Sequence, residues 1–502
     1  MTENLDAVVV GSGPNGLAAA VTLARAGLAV RVLEAQPTVG GGSRTLDLGL
    51  GAGLVHDVCS AVHPLAWASP FFEAFDLAAR GVELLAPEVS YAHPLDGGRA
   101  GVAYRDLDRT VDRLGGRDGA AWRALLGPLA DGWRDVVALA LGDKRTVPGR
   151  LLRPDGAAVA ARFGAAVLEQ GSGAWRRRFD GEEAGALLTG VAAHAITPLP
   201  SLAGAGTALL LAALGHAPGG WPVPRGGSGT IVAALVEDLR AHGGDVVTGH
   251  RVASRADLPR ARAYVFDTTP RVVADVFGDR LSPRTEASLR RFRHGDAAAK
   301  VDLVLSGPVP WADPEVARAG TVHVGGTRGE MASAESDVHA GRHAERPVVL
   351  VSDPTVVDPG RAAGGLRPLW TYAHVPAGST RDVTEDVLAQ LERFAPGVRD
   401  LVVASRCVPA AEMSRHDESY VDGDIAGGAV TMWQMVARPT PRVDPYAVGL
   451  EGVYLCSAST PPGPGVHGLG GWHAARRVLR REFDVRHDPA LRPRAAQTRP
   501  AG

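Results

Sequence analysis

Cysteine is nearly absent from these 502 residues: Cys59, Cys407 and Cys456 are scattered, and no CxxC pair occurs. That excludes a disulfide framework and a dithiol redox centre, and it fits a reducing compartment. Charge of one sign is missing too. The 53 basic and 55 acidic residues leave a net charge of −2, with no long block of either sign, so no nucleic-acid partner is expected. The apolar stretch at 202–214, LAGAGTALLLAAL, is shorter than the roughly 20 residues a membrane span requires. It reads as a buried helix, or as a surface that touches lipid or meets a greasy substrate. The amino end, MTENLD, is acidic and lacks the basic region of a signal peptide, so a cytoplasmic location is expected.

What is present begins almost at residue 1. AVVVGSGPNGLAAAVTLARAG runs on to LAVRVLEA, which predicts a strand at 7–10, a glycine turn, a helix at 17–26 and a second strand ending at Glu34. Gly11 allows a tight turn, Gly13 lets the backbone approach a diphosphate, and Gly16 lets the helix pack closely on the sheet. Pro14 lies inside this turn. The helix N-terminus offers free N–H groups to an anion. Glu34, eighteen residues after Gly16, can accept hydrogen bonds from an adenosine ribose. Strand, helix and acid in register predict a bound adenine dinucleotide.

At this length the chain is expected to form two or three lobes. Residues 76–220 read as mostly helical, whereas 221–275 contain a glycine turn (RGGSGT), a helix at 230–242, a strand at 245–247 and another at 263–269. A half-buried strand is predicted at 298–311, then loop-rich sequence to about 365, and a short helix in VTEDVLAQLERFAPGV. The end, GVYLCSASTPPGPGVHGLGGWHAARRVLRREF, reads as strand, turn and closing helix. The expected division is an α/β, Rossmann-like cofactor domain from 1–75, 221–275 and 445–485, and an α+β substrate domain from 76–220 and 276–444. Residues 486–502, polar and rich in Pro and Arg, are expected to form a disordered tail.

Directly after Glu34 comes QPTVGGGSRT, which places the bare backbone of Gly40, Gly41 and Gly42, followed by Arg44, beside the cradle. Here the sequence resembles the phytoene desaturase-like branch of the FAD-dependent amine oxidase superfamily. The paired glycines match, and Arg44 lies two positions later than the commonest arginine. The RGGSGT block, with Val252 after its strand, and SASTPPGPGVHGLGG extend the resemblance over most of the chain. The likeness is to a bacterial subgroup that includes relatives of the pyridine nucleotide-disulfide oxidoreductase domain-containing protein 2. It implies FAD as cofactor, held at its second end by Ser459, Gly465, Val466 and Gly468. Pro461, Pro464 and Ala458 depart from the family pattern. GPGVHG also satisfies GxGxxG literally, but too little chain follows for a second βαβ unit, so no nicotinamide domain is expected. No metal site is expected.

Lys144 and Lys300 are the only lysines, since the chain otherwise uses arginine. A lysine kept within an alternating strand suggests a need for a compact, titratable ammonium. The resemblance implies a place for Lys300 near flavin N5, steering water or oxygen; the alternative is a lysine snorkelling from a strand end. His467 and His473 flank the glycine turn as candidate proton carriers or as structural histidines. His56 is a candidate on a loop brought to the flavin, with Asp57 either orienting His56 or His63 or capping the loop. Trp433, with Met432 and Met435, lines an apolar tunnel or belongs to the core.

The resemblance implies redox chemistry or isomerisation at C–C bonds of an apolar isoprenoid or polyene-like molecule, with oxygen or a quinone as electron acceptor. Peripheral membrane contact is a further expectation from the 202–214 stretch. A flavin oxidase of small amines or amino acids is the rival enzyme; it needs an aromatic pair and a carboxylate clamp, and aromatic residues make up 5% of the chain. A non-catalytic flavin-stabilised interaction protein is the other rival.

Overall fold

The continuous apolar run at the amino end dictates a strand buried on both faces, and the computed structural model, which describes residues 5–143 and 145–493, places it at Leu5–Val10. Ala7 and Val9 face one side, against Leu17 and Ala19 of helix Pro14–Arg25, while Val8 and Val10 face the other, against Val273 and Phe277 of helix Pro270–Phe277. The first helix begins three residues before its predicted start because Pro14 is preset for an initial helical turn. Strand Leu5–Val10 is central in a five-stranded parallel sheet ordered Val453–Leu455, Ala261–Phe266, Leu5–Val10, Val30–Leu33, Asp245–Val247. Three separated stretches of chain thus build one sheet. Val8 sits in register with Tyr264 on one side and Arg31 on the other. Helices Gly229–Ala241 and Leu469–Glu482 cover the same face as the first helix.

A seven-stranded mixed sheet faces it, ordered Val402–Val408, Ala297–Leu305, Arg367–Val375, Val349–Ser352, Thr321–Val324, Val89–Leu95, Arg99–Tyr104. Its one parallel join pairs Val322 with Ala92. Ala299, Val301 and Leu303 turn toward Val387, Leu391 and Phe394 of helix Thr384–Phe394. The alternate residues, including Ala298, Lys300 and Asp302, therefore turn to the opposite face. There Ala298 joins Leu350, Trp370 and Tyr372. The fold is α/β, with a Rossmann-like sheet and a second α+β layer.

Several elements differ from their sequence-based expectation. Residues 76–220 include the hairpin Val89–Leu95 and Arg99–Tyr104, turned at Gly97 and Gly98 with φ of 78° and 71°. The DGG sequence is a hairpin signal masked by surrounding helices. The loop-rich reading of 312–365 is corrected by strands Thr321–Val324 and Val349–Ser352 and by helix Arg328–His339. Four-residue strands carry too little periodicity to stand out alone, although Thr327 and Glu330 do form the capping box that starts the helix. The strand at 298–311 stops at Leu305, before the Ser-Gly-Pro break. Part of the expected disordered tail is docked: Leu491 is buried, and Arg25 and Arg80 donate to carbonyls of Ala490 and Leu491. Residues 494–502 lie outside the described residues.

Candidate active site

The carboxyl ends of the parallel strands open into a cavity of about 1070 Å³, whose far wall comes from the mixed sheet and the helical block. In open α/β sheets this is where ligands bind. At the nucleotide end, ten of the sequence-predicted residues come together on the wall: Gly11, Gly13, Pro14, Glu34, Gly41, Gly42, Val252, Ser459, Gly465 and Val466. The two glycine-rich ends, more than 440 positions apart, are joined directly, since Gly470 N–H donates to Asn15 Oδ1 at 3.1 Å. Glu34 is buried and held ready, accepting Ser12 N–H at 2.9 Å, Ser12 Oγ–H at 2.5 Å and Gln36 N–H at 2.8 Å.

Gly16, Gly40, Arg44, Gly468, His467, His56 and Lys300 stand behind this wall. Gly16 meets Gly11 and Asp267, and Gly468 begins the closing helix. Gly40 N–H donates to Ser12 Oγ at 3.1 Å. The Arg44 guanidinium donates to Gly41 O at 2.8 Å, Thr38 Oγ1 at 3.2 Å and His416 O at 2.5 Å. Arg44 therefore ties the glycine turn to residues 413–421. Those residues form a strap across the nucleotide end. Tyr420 closes on Gly42 where any side chain would stand, and Asp417, His416 and Tyr420 line the cavity. No periodic pattern marks this irregular segment, so only its tertiary contacts reveal it.

The candidate proton carriers have definite partners. His467 accepts Leu469 N–H at Nδ1 (3.1 Å) and places Nε2 3.2 Å from Gly463 O, which sets the tautomer. Burial lowers its pKa to about 4, so it is a neutral clasp of the turn. His473 is also buried, and its pKa is lowered to about 3. Lys300 Nζ lies 2.5 Å from Asp302 Oδ1 and 5.1 Å from the Trp370 ring centroid, while His56 Nδ1 lies 3.5 Å from the same carboxylate oxygen. Burial alone would raise the Asp302 pKa, but Lys300 and His56 together outweigh it and hold that carboxyl below its ordinary range. Trp370 lines the cavity and Lys300 does not. Asp57 orients neither His56 nor His63. It accepts Ser228 N–H at 2.8 Å, Thr45 Oγ1–H at 2.6 Å and Arg361 Nη1–H at 2.9 Å, pinning its loop to the RGGSGT block.

Four further wall residues, Trp370, Tyr372, His194 and Asp267, stand outside the set expected from the sequence. Trp370 and Tyr372, neighbours on one strand, form an edge-to-face pair with centroids 5.1 Å apart. His194 has its Nε2 2.9 Å from His323 Nε2, and burial lowers its pKa to about 3, so it is neutral. Asp267 directly follows strand Ala261–Phe266, and its carboxyl group accepts Gly16 N–H at 2.7 Å. An acid at the carboxyl end of a buried parallel strand was the available signal. Among the described residues no cluster of His, Cys, Asp and Glu is arranged to hold a metal, and no helix is long and apolar enough to cross a membrane.

The family model described as flavin containing amine oxidoreductase matches residues 15–479. The chain belongs to this family. The family assignment makes the protein a flavin oxidoreductase, and Gly11, Gly13 and Gly41 bring main chain to the cavity wall where such a cofactor fits. An uncharacterized protein of Mycobacterium tuberculosis is 27% identical, the match covering 95% of this chain and 97% of that one. The pyridine nucleotide-disulfide oxidoreductase domain-containing protein 2 of Rattus norvegicus is 24% identical, covering 95% and 93%. Among solved structures, an oxidoreductase from Methanosarcina mazei has the same fold with a TM-score of 0.58 at 16% identity, covering 95% of this chain and all of that one. A putrescine oxidase shares the fold with a TM-score of 0.55 at 18% identity, covering 95% and 98%.

Proposed function

We propose that this flavin oxidoreductase binds FAD and desaturates, saturates or isomerises C–C bonds of an apolar, isoprenoid or polyene-like molecule. The observation that carries the reading is the helical wall of the cavity. Leu141, Phe163, Val167, Leu202, Leu210 and Leu211 line it, and the carboxylates on the wall (Glu34, Asp267, Asp275, Asp417 and Glu418) belong to the nucleotide end. An apolar chain would lose water there without stranding a polar group. FAD, when bound, supplies the two-electron acceptor for a hydride leaving carbon, while the adjacent carbon gives up a proton and oxygen or a quinone later takes the electrons. That proton would pass to water in the cavity, since burial leaves neutral His194 at the wall, backed by His323, too weak a base to hold it. Glu34 would hold the ribose, and the 457–466 turn would hold the flavin end.

Anaerobic mixing tests the reading. Polyene precursors should bleach the visible flavin spectrum and small amines should leave it unchanged. Bleaching by amines alone would replace this proposal with the amine oxidase reading, which the Trp370–Tyr372 pair and the putrescine oxidase fold support.

The cavity mouth supports peripheral membrane contact. Met432 lines the cavity yet is 48% exposed, and Trp433 and Val436 beside it are 69% and 74% exposed. On the helical wall, Leu168 follows lining residue Val167 and is 63% exposed. An apolar rim of this kind suits entry of a substrate from lipid. The protein should float with anionic liposomes, and Trp433→Asp should leave most of it in the aqueous fraction. Equal recovery of both proteins in water would remove the membrane role.

A further inference from the structure

We propose that Asp267 receives the FAD diphosphate as a neutral carboxylic acid, offering an O–H toward the phosphates and making cofactor retention depend on pH. The inference rests on the FAD reading and concerns a residue outside the glycine fingerprint.

Its basis is where the glycines point. A Cβ at Gly13 would lie 2.6 Å from Asp267 Oδ2, one at Gly11 2.5 Å from Asp267 O, and one at Gly16 2.9 Å from Asp267 Cβ. The turn is bare because it wraps this aspartate. Asp267 Oδ2 already accepts the Gly16 N–H, one of the donors of the helix N-terminus. A carboxylate thus stands in the cradle expected to take an anion, and two negative groups in one cradle repel unless one carries a proton.

The surroundings favour that proton. Burial, foremost, with Asp417 and Glu34 adding like charge, raises the Asp267 pKa to about 8 despite the Gly16 hydrogen bond. Cys456, after strand Val453–Leu455, is itself held neutral, its pKa raised by burial. The following helix carries Arg271 and Asp275, 3.9 Å apart and paired with each other. The first helix contributes N–H groups and Asn15, with no charge in its first turn. Asp267's remaining exposure is to the cavity, which a bound dinucleotide would fill.

The sign follows. Below pH 8 Asp267 is mostly protonated with and without cofactor, so affinity is flat. Above pH 8 the free site loses its proton, and binding must take one up again. Affinity should therefore fall about tenfold between pH 7 and pH 9.

The test is release of FAD fluorescence from diluted holoprotein at pH 7, 8 and 9, with the wild type and Asp267→Asn, whose amide is neutral throughout. The wild type should weaken about tenfold, the Asn variant should change less than about twofold, and at pH 9 the variant should bind at least about fivefold tighter. Equal pH profiles for the two proteins would overturn the proposal. So would a variant weakened by the same factor at every pH, because that assigns Asp267 a merely structural role. Failure of both proteins to hold FAD at any pH would instead end the FAD reading.

Discussion

Gly16→Val should yield colourless protein that has also lost stability. A Cβ at residue 16 would strike the Gly11 carbonyl oxygen and lie 2.9 Å from Asp267 Cβ. Neither neighbour can move freely. Gly11 N–H donates to Leu33 O at 2.8 Å and Asp267 N–H to Val10 O at 2.7 Å, both closing the carboxyl ends of the central strands. The turn would have to open, removing the cradle. Forcing extra atoms into a packed site costs about 1–3 kcal/mol or more. Visible spectra and thermal unfolding read both effects. Gly27→Ala is the control: its φ of 87° is strained for alanine, yet nothing lies within 4 Å of the added carbon. That protein should stay yellow. A yellow Gly16→Val protein would break the link between this turn and the flavin.

Lys300→Met should cost about 3–5 kcal/mol at neutral pH, the cost of leaving one half of a buried ion pair. Side chains of Lys300 and Asp302 are 4% and 3% exposed, so no water takes the place of the ammonium. Adding Asp302→Asn should restore most of the loss, since replacing both charges is far less costly than stranding one. The pH dependence has a definite sign. In the wild type the lowered Asp302 pKa gives stability that is present above its unfolded pKa and lost as pH falls through the folded one. Without Lys300, burial raises that pKa, so the carboxylate is a burden at neutral pH and is relieved by protonation. The deficit of Lys300→Met should therefore shrink on acidification. Urea unfolding at neutral and acidic pH measures it, and an equal deficit at both would assign the loss to packing rather than charge.

How far the sequence could be read depended on whether a signal was local. The strand at 5–10 shows as a continuous apolar run, the helix after it as a 3.6-residue period, Glu34 by its distance from the glycine turn, and the short strand at 245–247 by the Gly243–Gly244 helix stop before it, all of which act over a few residues. Val252, Ser459, Gly465 and Val466 were legible only by resemblance, and the structure brings them to one wall with Gly11 and Gly13. The sequence places Asp267 in a strand and gives no sign that it belongs to the cradle. Its partner Gly16 lies 251 positions away, and no spacing rule spans that distance. Strands 321–324 and 349–352 were lost because four residues carry almost no periodic signal until a sheet pairs them.

The amino-acid sequence alone determined the nucleotide cradle and the α/β class, because glycine conformations, helix caps and apolar periods are properties of neighbouring residues. Tertiary structure alone decided that Lys300 sits behind Trp370 in an ion pair with Asp302, that His467 clasps its own turn, and that residues 413–421 strap the cleft. Each of those outcomes depends on which distant side chain reaches a buried polar group first, and burial makes an unpaired group costly enough to choose the partner.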